Sequence, residues 1–371
     1  TPEMEFVLRG VERFVPRLEQ LALSEVAPSQ RRLDIGRDTS NFAVTMTAPG
    51  TIDNIVLRET AMPEIGADEI LVEIAAVGLN FRDIMAATSI LPDELENEDA
   101  YWRNLGLEFA GTVLRVGDSV TTLQPGDRIM GMGKGYLRRF ARVRPETVMR
   151  VPDHVDLVAA ATIPAAFLTA HYALTHIGRL TAEETALIHL ASGGVGLAAI
   201  QVARDIGAKI FGTAGSEAKR SFLTELGLDA VMNSRALDFA DQVRASTAGH
   251  GVDVVLNSLS GNGIDKSLEC LAPFGRLVEI GKRDLADDKP IGLRSLYRNN
   301  AYSVIDLSTL PLEKPALFRR LLSEVEAKVA NGTYGPLNAT RFPASRAGEA
   351  MRLLSKAQHI GKVIVTFDEP V

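Results

Sequence analysis

The sequence predicts an α/β protein in which a small, mostly β domain holds an inserted doubly wound parallel sheet. Three observations carry this. Strand-like segments punctuated by Gly and Pro fill residues 42–152. A strict strand–helix alternation then runs from Ala186 to Ile305 with six strands. Strand pattern returns near the C-terminal end, which makes the parallel sheet an insertion. The 371 residues suit two domains, because single cores split beyond roughly 250–300 residues.

Residues 1–40 mix apolar and charged positions and read as a linker segment, a strand or linker piece packed on an edge of the β domain. The β domain is expected over 41–165 and 308–371, with strands such as Glu69–Val77 and Gly111–Val116. Residues 156–180 read as Ala-rich helices. The parallel-sheet domain is expected over 166–307, from the strands Ala186–Ala191, Lys209–Ala214, Ala230–Asn233, Asp253–Leu256, Arg276–Ile280 and Tyr302–Ile305. Helices are expected at Gly194–Ile206, Glu217–Leu226, about 314–331 and 346–357, with closing strands Leu337–Phe342 and Lys362–Phe367.

Composition narrows the function. Net charge is −7, which argues against a general nucleic-acid binder. No run of about 20 apolar residues offers a membrane span. The one cysteine, Cys270, excludes an intrachain disulfide and a Cys-based zinc site, and fits a reducing cytoplasm. The chain opens on Thr1, with Met4 its first methionine, and a segment of a longer polypeptide is the expectation.

The strongest motif is Ala191-Ser192-Gly193-Gly194-Val195-Gly196-Leu197-Ala198-Ala199. It follows a strand and opens a helix, and Gly194, Gly196 and Ala199 fit the G-x-G-x-x-G/A dinucleotide fingerprint. The small residues permit a tight turn, close approach of a pyrophosphate and close helix–strand packing, while the helix N-terminus offers free N–H groups. An NAD site usually carries an acid at the end of the second strand. Here that end reads Gly212-Thr213-Ala214-Gly215-Ser216, followed by Lys219 and Arg220, with Arg235 after the third strand. Cations and small hydroxyls suit a 2′-phosphate, so NADPH is expected.

No His-Glu-x-x-His, G-x-S-x-G or phosphate-binding Gly-Lys-Ser/Thr loop is present. The six histidines are scattered with no pair in a zinc arrangement, and His189 reads as a core residue. No metal is expected, and the chemistry is hydride transfer by the cofactor.

Several motifs resemble the enoyl reductase domains of polyketide synthases and animal-type fatty acid synthases, zinc-free members of the medium-chain dehydrogenase/reductase superfamily. They are Gly78–Asp83, Gly106–Gly111, Ile188–Gly196, Val254–Gly261, Glu279–Asp284 and His359–Val363. Within that group the mycocerosic type is most similar. The match runs from about 42 to 367, and Arg13–Leu18 resembles the preceding linker. The resemblance implies a GroES-like β domain with an inserted Rossmann domain. It implies reduction by NADPH of an α,β-unsaturated thioester on an acyl carrier protein, with hydride to the β carbon and a proton to the α carbon. Neighbouring synthase domains and a homodimer joined at a sheet edge are implied too. A stand-alone quinone or alkenal reductase and a non-catalytic dimerising domain are the competing possibilities.

Site residues carry over in the same way. Lys219 and Asp238 match the family's proton-donor candidates, although Lys219 could equally hold the 2′-phosphate. Asn80 and Thr169 resemble residues near the nicotinamide or its ribose, or are a turn Asn and a helix-interior Thr. Ser192, Gly193, Gly194, Val195, Gly196, Thr213, Gly215, Ser216 and Arg235 join the cofactor set. So do Asn257, Leu259, Gly281 and Lys282, at C-terminal strand ends. Lys362 is either a family residue or a solvated strand-end charge. Leu91 stands where relatives often carry a tyrosine, which implies the opposite configuration at an α-methyl branch. The acidic segment Leu91–Asn104 is either a lid at the acyl entrance or a solvated loop.

Overall fold

The computed structural model describes residues 7–9, 12–14, 41–90 and 104–367. The expectations for Leu91, for most of the 91–104 segment and for most of the first 40 residues fall outside the described residues. Within those first 40, strands β1 (Val7–Arg9) and β2 (Glu12–Phe14) pair antiparallel.

The β domain contributes β3 (Asn41–Met46), β4 (Ile55–Thr60), β5 (Ile70–Leu79), β6 (Glu108–Val116), β7 (Arg128–Met132), β8 (Phe140–Val143) and β9 (Val148–Arg150). The inserted domain contributes β10 (Thr185–Ile188), β11 (Lys209–Ala214), β12 (Ala230–Asn233), β13 (Val252–Asn257), β14 (Leu271–Glu279) and β15 (Ala301–Val304). The chain then returns through β16 (Ala339–Pro343) and β17 (Lys362–Thr366). These last two rejoin the first domain: β17 runs antiparallel to β5, with Val363 opposite Leu79. The insertion expected from the returning strand pattern is the one observed.

The parallel sheet has the order β12-β11-β10-β13-β14-β15. It reverses direction of travel between β10 and β13, and ligands of open α/β sheets bind beside the strand ends at such a point. β14 starts earlier than expected, at Leu271. Pro273 and Gly275 disguise its first half, and Phe274 adopts a left-handed φ of 63° where the register with β13 shifts. The sheet's two faces bury separate clusters. One is built on Leu187, Val255 and Leu277. The other joins Ile188, Ile200 and Val254 to Phe167, Val325 and Ile364. This second cluster runs across the junction, so the two domains share one core there.

The 156–180 stretch is interrupted rather than continuous. A turn of helix at Leu157–Ala160 precedes the Pro164–His171 helix, which passes directly into a π turn at Tyr172–Ile177. The π turn corrects the expectation that no two histidines share a site: His171 and His176 both lie within hydrogen-bond distance of Glu324. Spacings of five are invisible to an α-helical pattern. No helix among the described residues is long and apolar enough to cross a membrane.

Candidate active site at the domain junction

The glycine loop turns in Leu190, which takes a left-handed φ of 49°, and closes with Gly193 N–H donating to Leu190 O at 2.9 Å. The Gly194–Ile206 helix starts next. Its first N–H groups, on Gly194, Val195 and Gly196, have no intrahelical acceptor, which is how a helix start receives an anion. A Cβ on Gly196 would lie 2.6 Å from the Ala191 Cα and carbonyl oxygen, so only glycine lets helix and loop approach. A Cβ on Gly194 would lie 2.5 Å from Lys362 Cδ.

Lys362 is therefore part of the site wall, which corrects the reading of it as a solvated charge. It is 4% exposed. Its Nζ donates to Leu79 O at 3.0 Å and Asn80 Oδ1 at 2.9 Å, and pairs with Glu108. Glu108 is fully buried and accepts from Asn80 Nδ2 at 2.9 Å and from Ala165 N–H at 2.7 Å. This cluster ties β5, β6, β17 and the Pro164–His171 helix together beneath the glycine loop. The link is completed by Gly361 N–H donating to Ser192 O at 2.8 Å. A buried ion pair holds only when its remaining hydrogen-bonding positions are satisfied, and here they are. Both amide hydrogens of Asn80 are committed inward, to Glu108 and Gly78 O. Its Oδ1 accepts from Lys362 and closes a capping box with Asp83, so Asn80 is a fixed part of the site floor. Thr169 is the only residue of the Pro164–His171 helix that is not fully buried, which fits a cleft-facing hydroxyl.

At the end of β11, Gly215 lies under Arg235, whose Nε would be 2.9 Å from a Cβ there. Exposed Ser216 follows. Lys219 reaches across to donate to Ala357 O at 2.7 Å, and burial, then the nearby Arg235 charge, lower its pKa. Asp238 is exposed and accepts from Gln242 Nε2 at 3.1 Å. Among the described residues no hydrogen bond or ion pair joins it to Lys219.

Three residues expected at the cofactor are already engaged within the protein. Thr213 is fully buried; its hydroxyl lies 3.0 Å from His189 Nδ1 and accepts from Leu190 N–H at 3.4 Å, so it holds the loop from below. Asn257 is fully buried too and donates to Leu259 O and to Glu279. Gly281 N–H is taken by Glu279 Oε1 at 2.5 Å. Ser267 links the two halves, at 2.9 Å from His189 Nε2 and 3.3 Å from Asn257 Oδ1. Burial pushes His189 down to about 3 and Glu279 up to about 7. His189 is thus the satisfied core residue expected. Lys282 donates to Ile305 O at 3.1 Å and pairs with Asp306 at 3.3 Å. Sequence reasoning missed Glu108, Glu279 and Ser267 as supports. The available signal for Glu108 was a lone carboxylate at the head of a mostly apolar strand.

The parts fit a nicotinamide dinucleotide. There are N–H groups without an intrahelical acceptor at a helix start, glycines at 194 and 215 where a side chain would intrude, and Lys219 and Arg235 beyond β11, where the nearest carboxylate, Glu217, is paired with Arg220. Residues 66–153 match the alcohol dehydrogenase GroES-like domain, and residues 194–321 match the zinc-binding dehydrogenase model. The chain is 35% identical over 98% of its length to a phenolphthiocerol/phthiocerol polyketide synthase of Mycobacterium tuberculosis. It is 33% identical over 98% to a highly-reducing polyketide synthase of Aureobasidium melanogenum. It spans 17% of the length of each. Among solved structures, the CurK enoyl reductase superposes with a TM-score of 0.81 at 38% identity, covering 88% of this chain and 99% of that one. The JamJ enoyl reductase does so at 33% identity with the same TM-score and coverage. A quinone oxidoreductase of Pseudomonas syringae, at 24% identity and TM-score 0.77, shares the fold. With GroES-like and Rossmann parts, full-length likeness to polyketide synthases and near-complete coverage of solved enoyl reductases, the chain belongs to the enoyl reductases of the medium-chain dehydrogenase/reductase superfamily.

Proposed function

We propose that this enoyl reductase uses NADPH to reduce the α,β double bond of an enoyl thioester carried on an acyl carrier protein, within a cytoplasmic synthase. The observation that carries the cofactor choice is the cationic corner beyond β11, where Arg235 covers Gly215, Lys219 stands beside Arg235, and the nearest carboxylate, Glu217, is paired with Arg220. A 2′-phosphate there gains charge-assisted hydrogen bonds.

A bound reduced nicotinamide supplies the hydride for the β carbon. The chain's residues do the rest. Gly194, Val195 and Gly196 present N–H groups to the pyrophosphate. Arg235 would hold the 2′-phosphate, with Lys219 beside it. Asn80, locked by Lys362 and Glu108, shapes the junction, and Thr169 offers it a hydroxyl. Asp238 remains a candidate for the α-carbon proton, with Lys219 as its competitor. Lys219→Ala separates the two roles. A raised NADPH KM with kcat retained assigns Lys219 to the phosphate, whereas a lost kcat assigns it to proton delivery. A homodimer would pair the exposed edge strand β15 with its copy.

The test is NADPH oxidation with crotonyl and 2-methylcrotonyl thioesters against a quinone control. Thioester turnover with a clear preference for NADPH over NADH is expected. Turnover of quinone alone, or equal use of NADH, overturns the proposal.

A further inference from the structure

The cluster formed by the π turn lies outside the site described above. In a π turn the hydrogen bonds run i→i+5, so residues five apart stack on one face. That places His171 and His176 together, and Glu324 of the facing Pro315–Ala330 helix meets both. Glu324 Oε2 lies 3.0 Å from His171 Nε2 and 2.9 Å from His176 Nε2, and all the ligating atoms lie within 4.8 Å of one another.

We propose that His171, His176 and Glu324 form a binding site for a divalent transition-metal ion, zinc foremost, with water as the fourth ligand. Two imidazoles and one carboxylate are an established zinc donor set, with bonds of about 2.0–2.2 Å. A tetrahedron of such bonds separates its ligands by roughly 3.3 Å, so the carboxylate retreats by a few tenths of an ångström and the two imidazole nitrogens, within 4.8 Å of each other, settle to the same spacing. Glu324 is partly exposed and can do so. The outer contacts suit the role. Tyr334, 1% exposed and stacked on Phe167, sets its hydroxyl 3.0 Å from His171 Nδ1. That contact fixes the ring so that Nε2 points at the carboxylate, as partners of metal-bound histidines do. The Thr175 hydroxyl donates to His171 O at 2.6 Å and holds the turn.

One group competes with the ion. Arg320 Nη2 lies 3.3 Å from His176 Nδ1, and its Nε lies 3.6 Å from Glu324 Oε1. Arginine can only donate, so in this arrangement His176 accepts at Nδ1 and carries its proton on Nε2. A metal on Nε2 requires the other tautomer, and exposed Arg320 must swing away.

The chelator-stripped full chain is titrated with Zn2+ alone, and separately with Co2+ while its visible spectrum is followed. One equivalent bound per chain, a raised melting temperature and the intense bands of four-coordinate cobalt are expected. His176→Ala and Glu324→Gln each weaken binding by roughly tenfold or more, and Arg320→Ala tightens it. Both the His176 and the Glu324 side chains are partly exposed, so these variants keep the fold. Less than one equivalent at micromolar free zinc, unchanged affinity in His176→Ala, or weaker binding in Arg320→Ala overturns the site.

Discussion

Lys362→Met removes the ammonium that the Glu108 carboxylate was built around, while leaving a side chain of similar length against Gly194. Breaking a buried ion pair by deleting one partner costs about 3–5 kcal/mol, because the other charge stays buried. Glu108 is fully buried but keeps two donors, Ala165 N–H at 2.7 Å and Asn80 Nδ2 at 2.9 Å. The expected loss is therefore at the low end, about 3 kcal/mol, or roughly a hundredfold in the ratio of folded to unfolded chains. Urea unfolding measures it, with an unchanged m value marking a change in stability alone. The double variant Glu108→Gln/Lys362→Met should cost less than the two single changes added together, by roughly 1–3 kcal/mol of coupling. A loss under about 1 kcal/mol for Lys362→Met, or strict additivity, would refute the claim that this pair ties β17 to β6 beneath the glycine loop.

Other expectations rest on the same geometry. Gly196→Ala drives a Cβ to within 2.6 Å of the Ala191 backbone; it should lower the melting temperature and weaken cofactor binding, and a wild-type NADPH affinity would contradict the packing role. Arg235→Ala should raise the NADPH KM by roughly tenfold to a hundredfold, the worth of a charged hydrogen bond, and leave NADH unchanged. Stability should also follow pH in two opposed ways. Glu279 sits near 7 when folded, so the folded state holds its proton longer than the unfolded chain, and stability falls as pH rises from about 4.5 to 7. Glu279→Gln should remove this slope, worth on the order of 3 kcal/mol. His189, lowered to about 3, does the reverse: its stability is present above about 6.5 and is lost as pH falls. His189→Asn should flatten the acid limb of the urea midpoint against pH.

Much of the fold was legible because its signals are local. The alternation from Ala186 to Ile305 and the glycines of 193–196 need only chain-neighbour physics, and both stand where expected. The corrections concern contacts made across long sequence separations. Lys362 looks like a strand-end charge until β17 is set beside β5 and its Nζ meets Asn80 and Glu108. Thr213 and Asn257 lie at strand ends, as ligand contacts do, but one turns toward His189 and the other toward Glu279. Side-chain direction at a strand end depends on the neighbouring strands, which the local pattern does not record. His171 and His176 are five apart, a spacing that gains meaning only once the backbone adopts a π turn.

The central claim is conjugate reduction of an enoyl thioester, and isotope placement tests it most directly. The enzyme is run on a crotonyl thioester with NADPH deuterated at the transferred position, and the product is read by mass spectrometry and NMR. The account predicts one deuterium at the β carbon and none at the α carbon, with the α position labelled only when the solvent is D2O. Deuterium at the α carbon, or no transfer to the thioester while a quinone consumes the NADPH, would contradict it.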